Sequence, residues 1–403
     1  MFRRLLLAGL AALLFLSIPG GSAFAYQEGP TVACGDLSDE DCAFLQESAA
    51  AMQLLESHTA QVELAMSLTD LPSLPPELAF SLSTDSILYS DPELAAQMMA
   101  VDEMSAEELA ENLVDVLDLV TEIYFSVAFD VILDLELSGD MADLLSAQAQ
   151  APIPQGLTLP FRLVDGYLYL NVDDLAAAFG AGQEVQGWLG VDVGTAMADA
   201  MQQAIAQMET GAMPANPAAA GFGAAGMQQN KEVQEAIDAY TLVERLEDGE
   251  VDGVAVAQFR YEFDLAGFLA DPAFAEFASD QLKMMAATDP NMQMSEQDLQ
   301  TFTTMLPMMA PMLLSGFQME TTSAIGLEDA YVYATETHVD WNLAPIVAMA
   351  AMGEGISLEP GAAPAYTFHV MATNADFNAA PPVEAPDDAI IIPLEAFAEG
   401  SSM

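Results

Sequence analysis

Three histidines and two cysteines are the imidazoles and thiols that this 403-residue chain offers toward general-base, nucleophilic or metal-binding chemistry. His338 lies between Glu336 and Asp340, and at a period of two these three side chains share one face of a strand. Two carboxylates and an imidazole in that arrangement can hold a divalent ion. The same spacing equally describes the solvated face of an acidic strand, so no metal and no cofactor is assigned to it. Cys34 and Cys42 flank a short acidic segment, Gly35 to Asp41. An even cysteine count suggests a disulfide, and the competing reading is a lipid-modified Cys34, since Val32-Ala33-Cys34 faintly resembles a lipobox. No G-x-S-x-G, Walker loop, G-x-G-x-x-G after a strand or H-E-x-x-H occurs. No catalytic residue is assigned, and the chain is expected not to be an enzyme.

Charge narrows the partners further. The formal net charge is −55, yet charged residues make up only 17% of the chain, because Lys and Arg number just seven. Such a surface repels nucleic acid and anionic membrane faces. Arg162 and Arg260 fall opposite the apolar face of their strands, where salt bridges with acidic neighbours are expected. Methionines are crowded between Met284 and Met312, among Pro290, Pro307 and Pro311. Unbranched, polarizable Met side chains suit irregular apolar surfaces. Met305, Met308, Met309 and Met312 are either core filling or a lid over an apolar cavity.

The elements that position these residues follow from periodicity. Ile123, Phe125, Val127, Phe129, Val131, Leu133, Leu135 and Leu137 alternate with polar residues, which predicts one strand of about 15 residues, roughly 50 Å long. A strand of that length must bend. Phe44 to Leu68 carries helical spacing, and a second helix is expected from about Pro92, with a further turn opening at Ser105 to Glu108. Three hairpins are predicted. The first turns at Asp165-Gly166. The second, Thr241 to Leu265, turns near Asp248-Gly249 and puts Phe259, Tyr261 and Phe263 on one face. The third pairs Phe317 to Ile325 with Tyr331 to Leu343, aligning Tyr333 and Trp341. Tyr366, Phe368 and Val370 make a last strand. Three return strands run through an Asn or Asp cap into an apolar helix: Asn171 to Leu175, Phe263-Asp264-Leu265 and Asp340 to Leu343.

Residues 1–25 read as a secretory signal cleaved after Ala25, with Arg3 and Arg4 before an apolar stretch and Ala23-Phe24-Ala25 at its end. Residues 26–44 form an acidic segment with the two cysteines. Residues 45–403 are read as one domain with a flexible Ala/Gly/Pro-rich insertion at about 211–230.

Together, the alternating strands, the D-G hairpins and the strand-capped helices resemble the bacterial lipoprotein-carrier superfamily of LolA and the LppX/LprG-type lipoproteins. The likeness rests on Phe161 to Tyr169, on Val251-Asp252-Gly253-Val254, and on Val383 to Ala389. It implies an α+β fold in which a large curved antiparallel sheet, a half-barrel, has helices covering its concave face and lipid or acyl chains in the cavity. The expected function is extracytoplasmic binding or transport of a lipid or other hydrophobic ligand. Ile123, Phe125, Val127, Phe129, Val131, Leu133, Leu135, Phe259, Tyr261, Phe263, Tyr333 and Trp341 would line the site. The alternative is a non-enzymatic envelope sensor or protein-interaction module on the same scaffold, with a filled core. The chain is expected to be secreted or in the cell envelope, and not an integral membrane protein.

Overall fold

The computed structural model describes residues 34–72, 74–102, 112–149, 152–173, 187–195, 231–288, 296–348 and 362–393. The signal segment, the turn at residues 105–108 and the low-complexity insertion lie outside them. Helix α1 (Asp39–Gln53) is capped by Ser38, whose Oγ accepts from the Asp41 N–H. Asp39, Glu40 and Asp41 complement the positive end of the helix dipole. Cys42, in its first turns, is joined to Cys34 by a disulfide with a Cα–Cα distance of 5.3 Å.

The helix does not run to Leu68. Strand β1 (Ser57–Thr69) begins four residues after it and pairs with β2 (Glu77–Tyr89). Val62, Leu64, Met66 and Leu68 have a period of two, and this strand signal overrides the helical spacing carried by the Ala-rich stretch before it. After α2 (Pro92–Asp102), helix α3 (Leu113–Ser126) absorbs the start of the expected long strand, so β3 is Ala128–Leu137. Leu113, Val116, Val120 and Ile123 also fit a 3.6-residue period, and the Val127 N–H closes the last turn on the Ile123 carbonyl. Ile123 and Phe125 are therefore helical. The longest strands are β1 and β2, with 13 residues each.

Helix α4 (Gly139–Ala149) follows, then β4 (Gly156–Val164), β5 (Tyr167–Asn171) and β6 (Trp188–Asp192). Asp165 and Gly166, between β4 and β5, both have positive φ (52° and 75°), as a type I′ turn requires. Beyond α5 (Lys231–Ala239), β7 (Thr241–Arg245) and β8 (Gly249–Val251) both pair with β9 (Val254–Phe263). The tight turn is at Asp252-Gly253, with φ of 50° and 87°, rather than at Asp248-Gly249. Helices α6 (Leu265–Ala270), α7 (Pro272–Thr288) and α8 (Glu296–Leu313) precede β10 (Phe317–Gly326) and β11 (Val332–Asn342), and β12 (Ala365–Ala375) and β13 (Ile390–Ile392) are the last of the described elements. Asp264 caps α6 by accepting from the Gly267 N–H, and Asn342 accepts from the Ala344 N–H at the start of a short helix.

The thirteen strands form one open sheet in the order β13-β6-β5-β4-β3-β2-β1-β12-β11-β10-β9-β7, with β8 also on β9. Every pairing is antiparallel except β13 with β6. The sheet bends strongly. Asp252 at the β8–β9 turn and Asp130 on β3 line one groove, though six strand spacings, about 29 Å in a flat sheet, separate β9 from β3.

Among the described residues, the helices that join the core clusters pack on the face that register assigns to the alternate apolar residues. The largest core cluster joins Leu64, Met66 and Leu68 of β1, Leu78 of β2 and Tyr366 and Phe368 of β12 to Met141 of α4. A second sets Leu45 of α1 on Val243, Ala257, Phe259 and Ile325. A third closes α5 on Phe268 of α6, with Phe263 of β9 packed against it.

Burial at the start of β1 has a consequence for pH. His58 is half-buried, and desolvation pushes its imidazole below the ordinary value of 6.5. Over the interval just below 6.5 the unfolded chain binds the proton more readily than the fold does. This contribution to stability is therefore complete above that interval and is lost as pH falls through it. The melting temperature is expected to drop between about pH 7 and pH 5, with a shallower drop for His58→Gln. An identical pH profile in that variant would exclude His58 as the source.

Candidate functional site

Across β3, β4 and β5 the helix-bearing face presents a run of apolar side chains. Phe129, Val131, Leu133 and Leu135 of β3 stand opposite Leu163, Phe161, Leu159 and Leu157 of β4. Leu170 and Leu168 of β5 continue the rows from Phe161 and Leu163. Except for Leu163, all of these side chains are half-buried. Phe129 and Phe161 meet edge to face, with ring centroids 5.8 Å apart. Among the described residues, the four β3 side chains belong to none of the three core clusters. The result is an apolar shelf three strands wide, about 20 Å along β3 from Phe129 to Leu135.

Residues expected beside this shelf are occupied elsewhere. Phe259 is fully buried, stacked 6.3 Å from Phe44 of α1 and lying under the Arg245 guanidinium at 5.0 Å. Tyr261 joins the same cluster, and burial pushes its hydroxyl pKa up to about 12. Phe263 packs on Phe268 with centroids 5.4 Å apart. Trp341 meets Phe317 edge to face and donates from Nε1 to the Leu313 carbonyl at 3.2 Å. Tyr333 sits at the β10–β11 bulge, donates to Asp329 at 2.7 Å and packs on Phe377. Val127 is the C-cap of α3.

Phe125 has a structural task at the β4–β5 turn. A Cβ added to Gly166 would lie 2.3 Å from its ring, and one added to Gly194 would lie 2.4 Å from it. Gly166 thus needs both its positive φ and its missing side chain. Gly166→Ala is expected to lower unfolding free energy by about 1–3 kcal/mol, read from the urea midpoint. An unchanged midpoint would mean that the ring and turn relax freely.

Of the four methionines on α8, Met305, Met308 and Met312 are exposed, Met308 by 76%, and Met309 is half-buried. None of the four belongs to a core cluster among the described residues. Met292 and Met294 lie outside the described residues.

The opposite face is polar and strongly acidic. Arg162 pairs with Asp130 at 2.9 Å and lies over the Trp188 ring at 5.0 Å. Arg260 is held by Glu244 and Glu262. These are the salt bridges expected from strand alternation. A groove of about 570 Å³ here is lined in part by Asp85, Asp130, Asp252 and Asp376, a lining unsuited to an acyl chain. Among the described residues, no helix is long and apolar enough to cross a membrane.

No protein-family model matches the sequence, and no curated protein matches it. Among solved structures the fold is similar to lipoprotein LppX of Mycobacterium tuberculosis, at 9% identity and a TM-score of 0.30, covering 87% of this chain and 100% of that one. It is similar to LprF from Mycobacterium bovis at 11% identity and a TM-score of 0.30, covering 88% and 99%. A LolA superfamily protein from Nitrosomonas europaea aligns at 6% identity and a TM-score of 0.15, covering 86% and 94%. At such identities the likeness concerns the layout of sheet and helices, and no residue role is carried across.

Proposed function

We propose that this chain binds a lipid or another apolar molecule on the β3–β4–β5 shelf, outside the cytoplasm. The observation that supports this reading is the contrast within one face of one sheet. Phe259 on β9 is sealed beneath α1, whereas Phe129, Val131, Leu133 and Leu135 on β3 are only half-buried. Apolar area left accessible on an otherwise packed face gains about 25 cal/mol per Å² when a ligand covers it, or about 0.8 kcal/mol for each buried methylene. An acyl chain laid along the shelf needs no specific polar contact. The disulfide favours an oxidising compartment.

Transport would add release to binding. Met305, Met308 and Met312 supply an exposed, adaptable apolar stripe on α8 that could meet a ligand or a partner during such a step. The reading of the chain as an interaction module draws on the same stripe and on the filled half of the face under α1. Native mass spectrometry and solvent extraction of the purified protein separate the two. Binding predicts co-purifying lipid, or uptake of a fluorescent fatty acid by delipidated protein. Protein that carries no lipid and takes up no fatty acid leaves the interaction module.

A further inference from the structure

Two of the chain's three histidines stand directly opposite one another on the polar face, His338 on β11 and His369 on β12. Their rings stack with centroids 4.2 Å apart and planes inclined by 24°. Both Nε2 atoms address the same carboxylate oxygen, Glu336 Oε1, at 3.2 Å from His338 and 2.9 Å from His369. We propose that Glu336, His338 and His369 form a binding site for a divalent transition-metal ion, Zn²⁺ foremost, with water completing its coordination.

The spacing suits the ion. Ligand atoms held about 2.0–2.1 Å from one metal, at angles between octahedral and tetrahedral, lie about 2.9–3.4 Å apart. The two measured nitrogen–oxygen separations fall in that interval, and the three ligand atoms all lie within 4.8 Å of one another. The scaffold is firm, because β11 is paired on both sides by β10 and β12, and β12 by β11 and β1.

The surroundings favour a cation. Glu320 on β10 is directly opposite His338, and Glu63, Glu262 and Asp340 lie on the same face. Arg260, on β9, is already paired with Glu244 and Glu262. Imidazole nitrogens distinguish the site from the acidic surface around it, which supplies oxygen ligands better suited to Mg²⁺ or Ca²⁺. All three side chains are 39–58% exposed, which leaves open coordination positions toward solvent. The ion would sit on the face away from the apolar shelf, so this site and the ligand reading stand or fall separately.

The test is a Zn²⁺ titration of tag-free, chelator-treated protein in excess Mg²⁺, followed by calorimetry and by the histidine ring proton resonances. One equivalent is expected to bind and to shift two of the three histidine spin systems. The His338→Gln/His369→Gln double variant and Glu336→Gln should each weaken binding at least tenfold, with unchanged circular dichroism. Several weak equivalents insensitive to these substitutions, or no binding once Mg²⁺ is present, would overturn the proposal.

Discussion

Replacing Leu133 with glutamate is expected to weaken fatty-acid uptake at least tenfold, while Ile132→Glu, one residue away, leaves uptake unchanged. The two side chains leave β3 on opposite faces: Leu133 stands between Thr84 and Leu159 on the shelf, and Ile132 is 41% exposed on the polar face. Tenfold corresponds to about 1.4 kcal/mol, a loss that two uncovered methylenes supply at about 0.8 kcal/mol each. A carboxylate forced under an acyl chain adds a desolvation penalty. Fluorescence titration of both variants, with unfolding midpoints measured alongside, reads the difference. Equal effects from the two substitutions would sink the assignment of the ligand to this face.

The second large effect concerns stability. Phe259→Ala is expected to cost about 3–5 kcal/mol, because it empties a fully buried position beneath Phe44 and Arg245 that other side chains cannot easily collapse into. Phe129→Ala, on the half-buried shelf, should cost only about 1 kcal/mol. Urea unfolding of the pair tests the division of the sheet into a filled half and an open half. If Phe129→Ala proved as costly as Phe259→Ala, the shelf would be ordinary core, and the interaction-module reading would gain.

Much of this architecture was legible in the residues. The hairpin at Asp165-Gly166 and the apolar face of Phe259, Tyr261 and Phe263 follow from turn chemistry and a period of two, and both are local. The cap at Asp264 is legible for the same reason. Errors arose where two periods overlapped. Residues 123–127 satisfy strand alternation and also continue the helical spacing of Leu113, Val116 and Val120, so Ile123 and Phe125 belong to the helix although their alternation reads as strand. Met66 and Leu68 alternate as strand residues of β1, and the helical spacing of the stretch before them masks that period. The third member of the histidine set was also mistaken. Asp340 shares a strand with His338, but His369 arrives from β12, and 31 positions along the chain say nothing about adjacency across a ladder.

Read alone, the sequence determined the acidic polar face and the apolar character of the opposite face. Both depend on composition or on spacing within a few residues. It left Cys34 open between a disulfide and a lipid anchor, which the Cys34–Cys42 bond decides. Only the tertiary structure decided which part of that face is covered. Leu133 and Phe259 have the same alternation and similar hydrophobicity, yet α1 lies on one and not the other. Helix placement depends on packing between distant segments, and strand periodicity carries no record of it. The pairing of His338 with His369 likewise arises from register between β11 and β12, set by hydrogen bonds along the whole ladder rather than by either histidine's neighbours.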